Sequence, residues 1–318
     1  MNERNKGIVA VVLAALVWST AGLFIKWLPQ DAFTILFVRA IYTMLVFYAV
    51  YRLEVLRFNR QTFINMLFYA GLLVCFVTST KWTTAANAIF LQYTGVAYVL
   101  LLEPLLFKLP YRRINIITTV VCFLGMSLFF MEDFDASGGW GLIIAAVSGV
   151  AYAGFMLGQR ANPPEYHVAA VFWGNLLVAG IGLPSFLAAG SFTMEAQLML
   201  AYLGLIQMGL GYLLFTYGLK RTTATETSLI TMLEPLFNPV WVAVGYGEKP
   251  SVLAIVGGVI IVVALIVRIL VLRKTVGRER KVEKLGEGTL YYVPSTKQSY
   301  CLMIICCWIS LPACTCKK

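Results

Sequence analysis

Residues 7–27 read GIVAVVLAALVWSTAGLFIKW, an apolar run with no charge before Lys26. A helix needs about 20 such residues to cross the hydrocarbon of a bilayer. Nine more runs follow, so the chain predicts spans at 7–27, 31–51, 62–82, 86–108, 114–131, 138–159, 166–187, 196–219, 224–246 and 251–272. The runs lack the two-residue alternation of membrane barrel strands. In lipid only helices and closed barrels satisfy their own backbone. The reading is an all-α polytopic membrane protein of ten transmembrane helices. Hydrophobic residues at 60% and charged ones at 13%, with a mean hydropathy of +0.80, lie outside the soluble range.

A formal charge of +10 would suggest nucleic acid in a soluble protein. Here the basic residues sit in short loops, where orientation and anionic headgroups account for them, so nucleic acid is excluded as a partner and the lipid bilayer takes its place. One side receives Arg4, Lys6, Arg52, Arg57, Arg60, Lys108, Arg112, Arg113, Arg160, Lys220, Arg221, Arg273 and Lys274. The other holds Lys26, Lys81 and Lys249, with Glu132, Asp133 and Asp135 in its loop after the fifth span. The positive-inside rule predicts both termini in the cytoplasm and a cytoplasmic-membrane location, and an even number of spans agrees. The first run follows Arg4 and Lys6 as a signal peptide would, but its length reads as a retained signal-anchor.

The chain repeats itself. Phe76, Lys81, Thr83, Thr84 and Ala85 have the spacing of Phe215, Lys220, Thr222, Thr223 and Ala224. The expected division is a first five-helix unit at 1–134, a second at 135–272 and a tail at 273–318. Five is odd, so the second unit must enter the membrane from the opposite face, an inverted repeat of the kind that secondary transporters use to open a central site to each side in turn. In the tail, the basic run from Arg273 to Lys284 is expected to be a solvated segment beside lipid headgroups. The stretch holding Cys301, Cys306, Cys307, Cys314 and Cys316 is interrupted by Pro312 and too short for an eleventh span. Cys75 and Cys122 read as packing residues. With His167 the only histidine, expected at an interface rather than as a base, no metal site and no cofactor are predicted.

Catalytic signatures of the G-x-S-x-G, H-E-x-x-H and dinucleotide-binding kinds do not occur, so no enzyme is predicted. Without a phosphate-binding loop, any movement of solute must be downhill or coupled to an ion such as the proton. Charges inside the hydrocarbon are the sharper signal, because burying one costs roughly 2.5–3.5 kcal/mol even on lenient scales. Glu234 lies in Leu233-Glu234-Pro235-Leu236-Phe237-Asn238-Pro239, where Pro235 and Pro239 each remove a backbone donor and bend the helix. Thr227, Thr231, Glu234, Asn238 and Trp241 share one helical face. Glu234 therefore reads either as a proton or counter-ion group or as a hydrogen-bonding brace for the bent helix. Arg39, the other deep charge, reads as an anion ligand, an internal counter-ion or a snorkelling residue. It reaches Glu234 only if the second and ninth spans are neighbours. Glu103, near the cytoplasmic end and within reach of Lys108, reads as structural. Polar and amphipathic residues in the spans predict a substrate cavity drawn from Trp18, Ser19, Asn87, Thr94, Tyr98, Tyr152, Trp173, Asn175, Tyr217, Thr231 and Asn238.

Three stretches carry a resemblance. They are Ala14-Ala15-Leu16-Val17-Trp18-Ser19-Thr20-Ala21-Gly22, Ala86-Asn87-Ala88-Ile89-Phe90-Leu91-Gln92-Tyr93-Thr94, and Glu234-Pro235-Leu236-Phe237-Asn238-Pro239 with Gly247-Glu248-Lys249-Pro250. Together they resemble the EamA family of the drug/metabolite transporter superfamily, from about Gly7 to Leu272. The resemblance implies two inverted five-helix halves around a cavity that exports amino acids or other small metabolites by alternating access. Val96 stands where members often have proline, and Lys108-Leu109-Pro110 where an acidic residue is common. The rival readings are a nucleotide-sugar or phosphate-ester carrier of the same superfamily, which would want several cavity cations, and a non-transporting membrane scaffold. The sequence sets no oligomeric state.

Overall fold

The computed structural model describes residues 2–83, 85–131, 139–237, 241 and 252–286, and among these it contains helices and turns without a strand. In chain order the helices are α1 (Glu3–Trp27), α2 (Ala32–Tyr51), α3 (Arg60–Trp82), α4 (Ala85–Phe107), α5 (Arg113–Phe130), α6 (Trp140–Ala161), α7 (His167–Ala188), α8 (Met194–Leu219), α9 (Ala224–Thr231) and α10 (Val252–Gly286). Seven of the described helices are long and apolar enough to cross a bilayer, and Arg113–Leu128 and Ile255–Val271 are shorter apolar stretches. The molecule is a multi-pass, all-α membrane protein.

Local chemistry sets the boundaries. The Asp31 carboxylate accepts from the N–H groups of Phe33 and Thr34 at 2.9 and 3.2 Å and so starts α2. Asn59 does the same for α3 through the Thr62 N–H at 2.6 Å, and Thr223 for α9 through the Glu226 N–H at 3.1 Å. The first span is interrupted by a turn at Ser19 and Thr20, whose hydroxyls donate back to the carbonyls of Leu16 and Val17 and compete with the helical ladder. Within α8, residues Tyr202–Leu210 widen into a π-helix.

The run from Arg273 to Lys284 continues α10 as helix to Gly286, because Lys, Arg and Glu are good helix formers and no proline intervenes. In the ninth span the interruption falls ahead of Pro235: α9 ends at Thr231, Met232 forms a turn, and helix resumes over 233–237. Asn238, Pro239, the loop with Glu132, Asp133 and Asp135, and the cysteine-rich tail lie outside the described residues.

Helix α1 packs on α8 and α9, α6 packs on α3 and α4, α2 pairs with α7, α5 with α10, and α3 meets α7 as α2 meets α8. Exchanging each helix for the one five places along maps these principal contacts onto themselves. At the α4–α6 crossing, a Cβ on Gly149 would lie 2.7 Å from Thr94 Oγ1 and 2.8 Å from the Leu91 carbonyl oxygen. The backbones therefore approach as closely as small residues allow, the usual device where water supplies no driving force.

Both ends of the bundle are tied. Lys26 donates to the Thr83 carbonyl at 2.9 Å, and Lys81 to the Leu28 carbonyl at 2.7 Å, so the C-terminal ends of α1 and α3 cap each other. At the opposite ends of these helices' neighbours, Glu103 accepts from the Ala224 and Thr225 N–H groups at 2.9 and 2.7 Å. Its nearby cation is Arg160 at 3.8 Å, not the expected Lys108, because Glu103 is turned inward onto the start of α9. Glu226 pairs with Arg4 at 2.6 Å and lies 3.8 Å from buried Arg268.

Candidate functional site

A cavity of about 50 Å³ lies where α1, α2, α3, α4, α6, α8 and the break after α9 converge. That is room for a few waters, at roughly 10–15 Å³ each, and far below the roughly 300–1,000 Å³ of a small-molecule pocket. A solute therefore enters only when helices part. The polar wall is Arg39, Gln92, Gln207 and Glu234, with Trp18, Tyr152 and Tyr212 beside them. Phe76, Phe155, Phe215, Leu72, Leu73, Met156 and Met208 supply the apolar remainder.

The Glu234 corner is built by a proline. Pro235 has no N–H, so the Thr231 carbonyl loses its partner four residues on. The Tyr93 hydroxyl fills the vacancy, 2.7 Å from the Thr231 carbonyl oxygen and 2.8 Å from Glu234 Oε2. Tyr152 joins the cluster through its hydroxyl, 2.8 Å from Thr231 Oγ1, and its ring lies 5.9 Å from that of Tyr93. The glycine crossing of α4 and α6 brings these two tyrosines together.

Across the cavity Arg39 is 3% exposed. Its Nη2 donates to Gln207 Oε1 at 2.9 Å, and Gln207 Nε2 donates to the Trp18 carbonyl at 3.4 Å. Nε and Nη1 of Arg39 and Oε1 of Gln92 are buried without a hydrogen-bond partner among the described residues. Glu234 and Arg39 line one cavity without a direct ion pair: Glu234 is held by Tyr93 and Arg39 by Gln207.

Of the residues expected to form the site, Trp18, Tyr152, Arg39 and Glu234 come together, with Thr231 directly behind. Ser19 is buried and accepts from Trp241 Nε1 at 2.7 Å. Asn87 donates to Thr83 Oγ1, Thr94 to the Leu91 carbonyl, and Asn175 to the Tyr69 hydroxyl, all within the packing rather than on the cavity wall. Trp173 lines an outward apolar groove with Met66 and Leu176. Tyr98 and Tyr217 are corrected to the outer surface, 40% and 39% exposed. The Arg221 guanidinium lies over the Tyr217 ring at 3.6 Å. His167 is buried at the first residue of α7, its Nε2 2.9 Å from the Asn162 carbonyl oxygen. The sequence reading did not include Gln92, Gln207 or Tyr212 in the cavity.

Relatives agree with a carrier architecture. An uncharacterized transporter of Archaeoglobus fulgidus is 25% identical over 82% of this chain and 95% of its own. The pseudopaline exporter CntI of Pseudomonas aeruginosa is 26% identical over the same shares. The transporter YxxF of Bacillus subtilis is 23% identical over 90% of this chain and 95% of its own. A protein of known crystal structure shares the fold, with a TM-score of 0.72 at 19% identity over 84% of this chain and 98% of that one. The model of the EamA-like transporter family matches twice, at residues 5–131 and 139–270. With both matches together covering most of its length, the chain belongs to the EamA-like transporter family.

Proposed function

We propose that the chain is a secondary transporter of the cytoplasmic membrane that exports small metabolites such as amino acids by alternating access. The observation that carries this reading is a pair of opposite buried charges, Arg39 and Glu234, facing one narrow cavity between the two halves. The twofold family match supports units at 1–134 and 135–272, and the contacts that survive exchange of the halves support their equivalence. Five spans per half then makes the repeat inverted. The basic loops favour cytoplasmic termini. The name of the pseudopaline exporter supports outward carriage. A nucleotide-sugar carrier is disfavoured because the described cavity wall offers one cation, and a carboxylate opposes it.

Glu234 is the proposed proton-coupling group. It faces Tyr93 from α4, Tyr152 from α6, Tyr212 from α8 and Arg39 from α2. Glu234→Gln is expected to reduce flux or flatten its pH dependence in proteoliposomes while expression is unchanged. Flux that keeps its wild-type pH profile in this variant rejects the coupling role. Comparing solutes that build up outside cells with and without the chain tests direction, and inward accumulation would reject export.

A further inference from the structure

The geometry points to a zwitterion site: Arg39 binds a substrate carboxylate, while Glu234 and Gln92 receive an ammonium group on the same solute. This rests on the transporter reading and goes beyond it by fixing the charge pattern of the substrate.

A guanidinium carries five N–H donors in a rigid planar fork, suited to a carboxylate. Arg39 is 3% exposed, and Nε and Nη1 have no acceptor among the described residues. Buried donors without partners are rare in folded proteins. If Arg39 were only a structural counter-ion, it would close directly on Glu234. Instead Gln207 anchors it through Nη2 on one side and Tyr93 anchors Glu234 on the other, with the cavity between them.

The acceptor side is complementary. Gln92 Oε1 is buried and unpartnered. The Glu234 carboxylate keeps lone pairs beyond the one facing Tyr93. One positive and one negative group sum to zero, so a zwitterion adds no net charge to the bundle core. A free amine, a simple carboxylate or a phosphate ester each leaves a charge uncompensated there, which is costly. The aromatic and methionine wall suits an apolar side chain on the same solute. Gln207 is a positioning residue that acts through Arg39.

The test is counterflow in liposomes holding the full chain, with three probes of one shape: leucine, leucinamide and 4-methylpentanoate. A broader panel of amino acids, sugars, nucleotide sugars and amines runs alongside. Leucine should exceed the other two at least tenfold. Arg39→Gln should bring leucine down to the level of leucinamide. Gln207→Leu should narrow the leucine-to-leucinamide ratio, which a loss of packing alone would not do. If Arg39→Gln is not monodisperse, Arg39→Lys decides: charge without the fork should cut the ratio severalfold. Equal flux of the three probes, or an unchanged ratio in a folded Arg39 variant, overturns the zwitterion site but leaves a transporter. Carriage of another charge class alone does the same. No flux of any panel compound overturns the transporter reading as well.

Discussion

Tyr93→Phe removes a hydroxyl lying 2.7 Å from the Thr231 carbonyl and 2.8 Å from Glu234 Oε2. Within membranes a hydrogen bond measured by double-mutant cycle averages about 0.6 kcal/mol and reaches about 1.7. The hydroxyl has one proton to divide between these two acceptors, so the Thr231 share is about 1 kcal/mol and the whole substitution costs about 1–2 kcal/mol. The reasoning assigns the Thr231 share to the donor missing at Pro235, which makes a second substitution decisive. Pro235→Ala returns an N–H to that carbonyl, so Tyr93→Phe should cost about 1 kcal/mol less in the Pro235→Ala background. Unfolding of the four proteins in mixed micelles, followed by circular dichroism, gives the cycle. Additivity within about 0.3 kcal/mol would refute the vacancy argument, since the tyrosine would then be bonding something the proline did not release.

Three further substitutions test the helix contacts and caps. Gly149→Ala should cost about 1–3 kcal/mol by forcing α4 from α6. Gly71→Ala, whose new Cβ would meet Ala151 Cβ at 3.6 Å, should be neutral or stabilising, and equal melting shifts for the two would sink the close-crossing account. Asp31→Ala should cost about 1 kcal/mol through loss of the α2 cap. Burial pushes the Asp31 carboxyl up, but the Thr34 hydroxyl and the Thr34 and Phe33 N–H groups outweigh it and hold it below the ordinary value. Its contribution is therefore complete above the ordinary carboxylate pKa, about 3.9, and fades as pH falls through the lower folded value. The stability gap between wild type and Asp31→Ala should narrow on acidification, and a gap that widens contradicts the sign.

The spans were legible because their signals are local. Asp31 announces α2 at the next residue, and Asn59 and Thr223 announce α3 and α9 in the same way. The deep charges were legible too, since a Glu or Arg amid leucines stands out. Cavity membership was not, because the face a helix buries depends on its partner. On α4, the cavity candidates read from the sequence were Asn87, Thr94 and Tyr98, yet Tyr98 faces outward and Gln92 lines the cavity. The Gly95–Gly149 approach sets that rotation, and a polar periodicity on one helix cannot encode it. Gln207 did leave a trace, as a lone amide in the apolar run from Leu203 to Leu210 flanked by Gly204 and Gly209. The π-helical widening that aims it is a property of the folded helix.

Lys26 and Lys81 exchange main-chain partners, so the tips of α1 and α3 are stitched crosswise. Separating them would strip two carbonyls and two ammonium groups of their bonds in the same event. Motion that uncovers the cavity at that end is cheapest when both helices swing as one blade. The joint for such a swing then falls at the Met232 turn and Pro235, where the ladder is already broken.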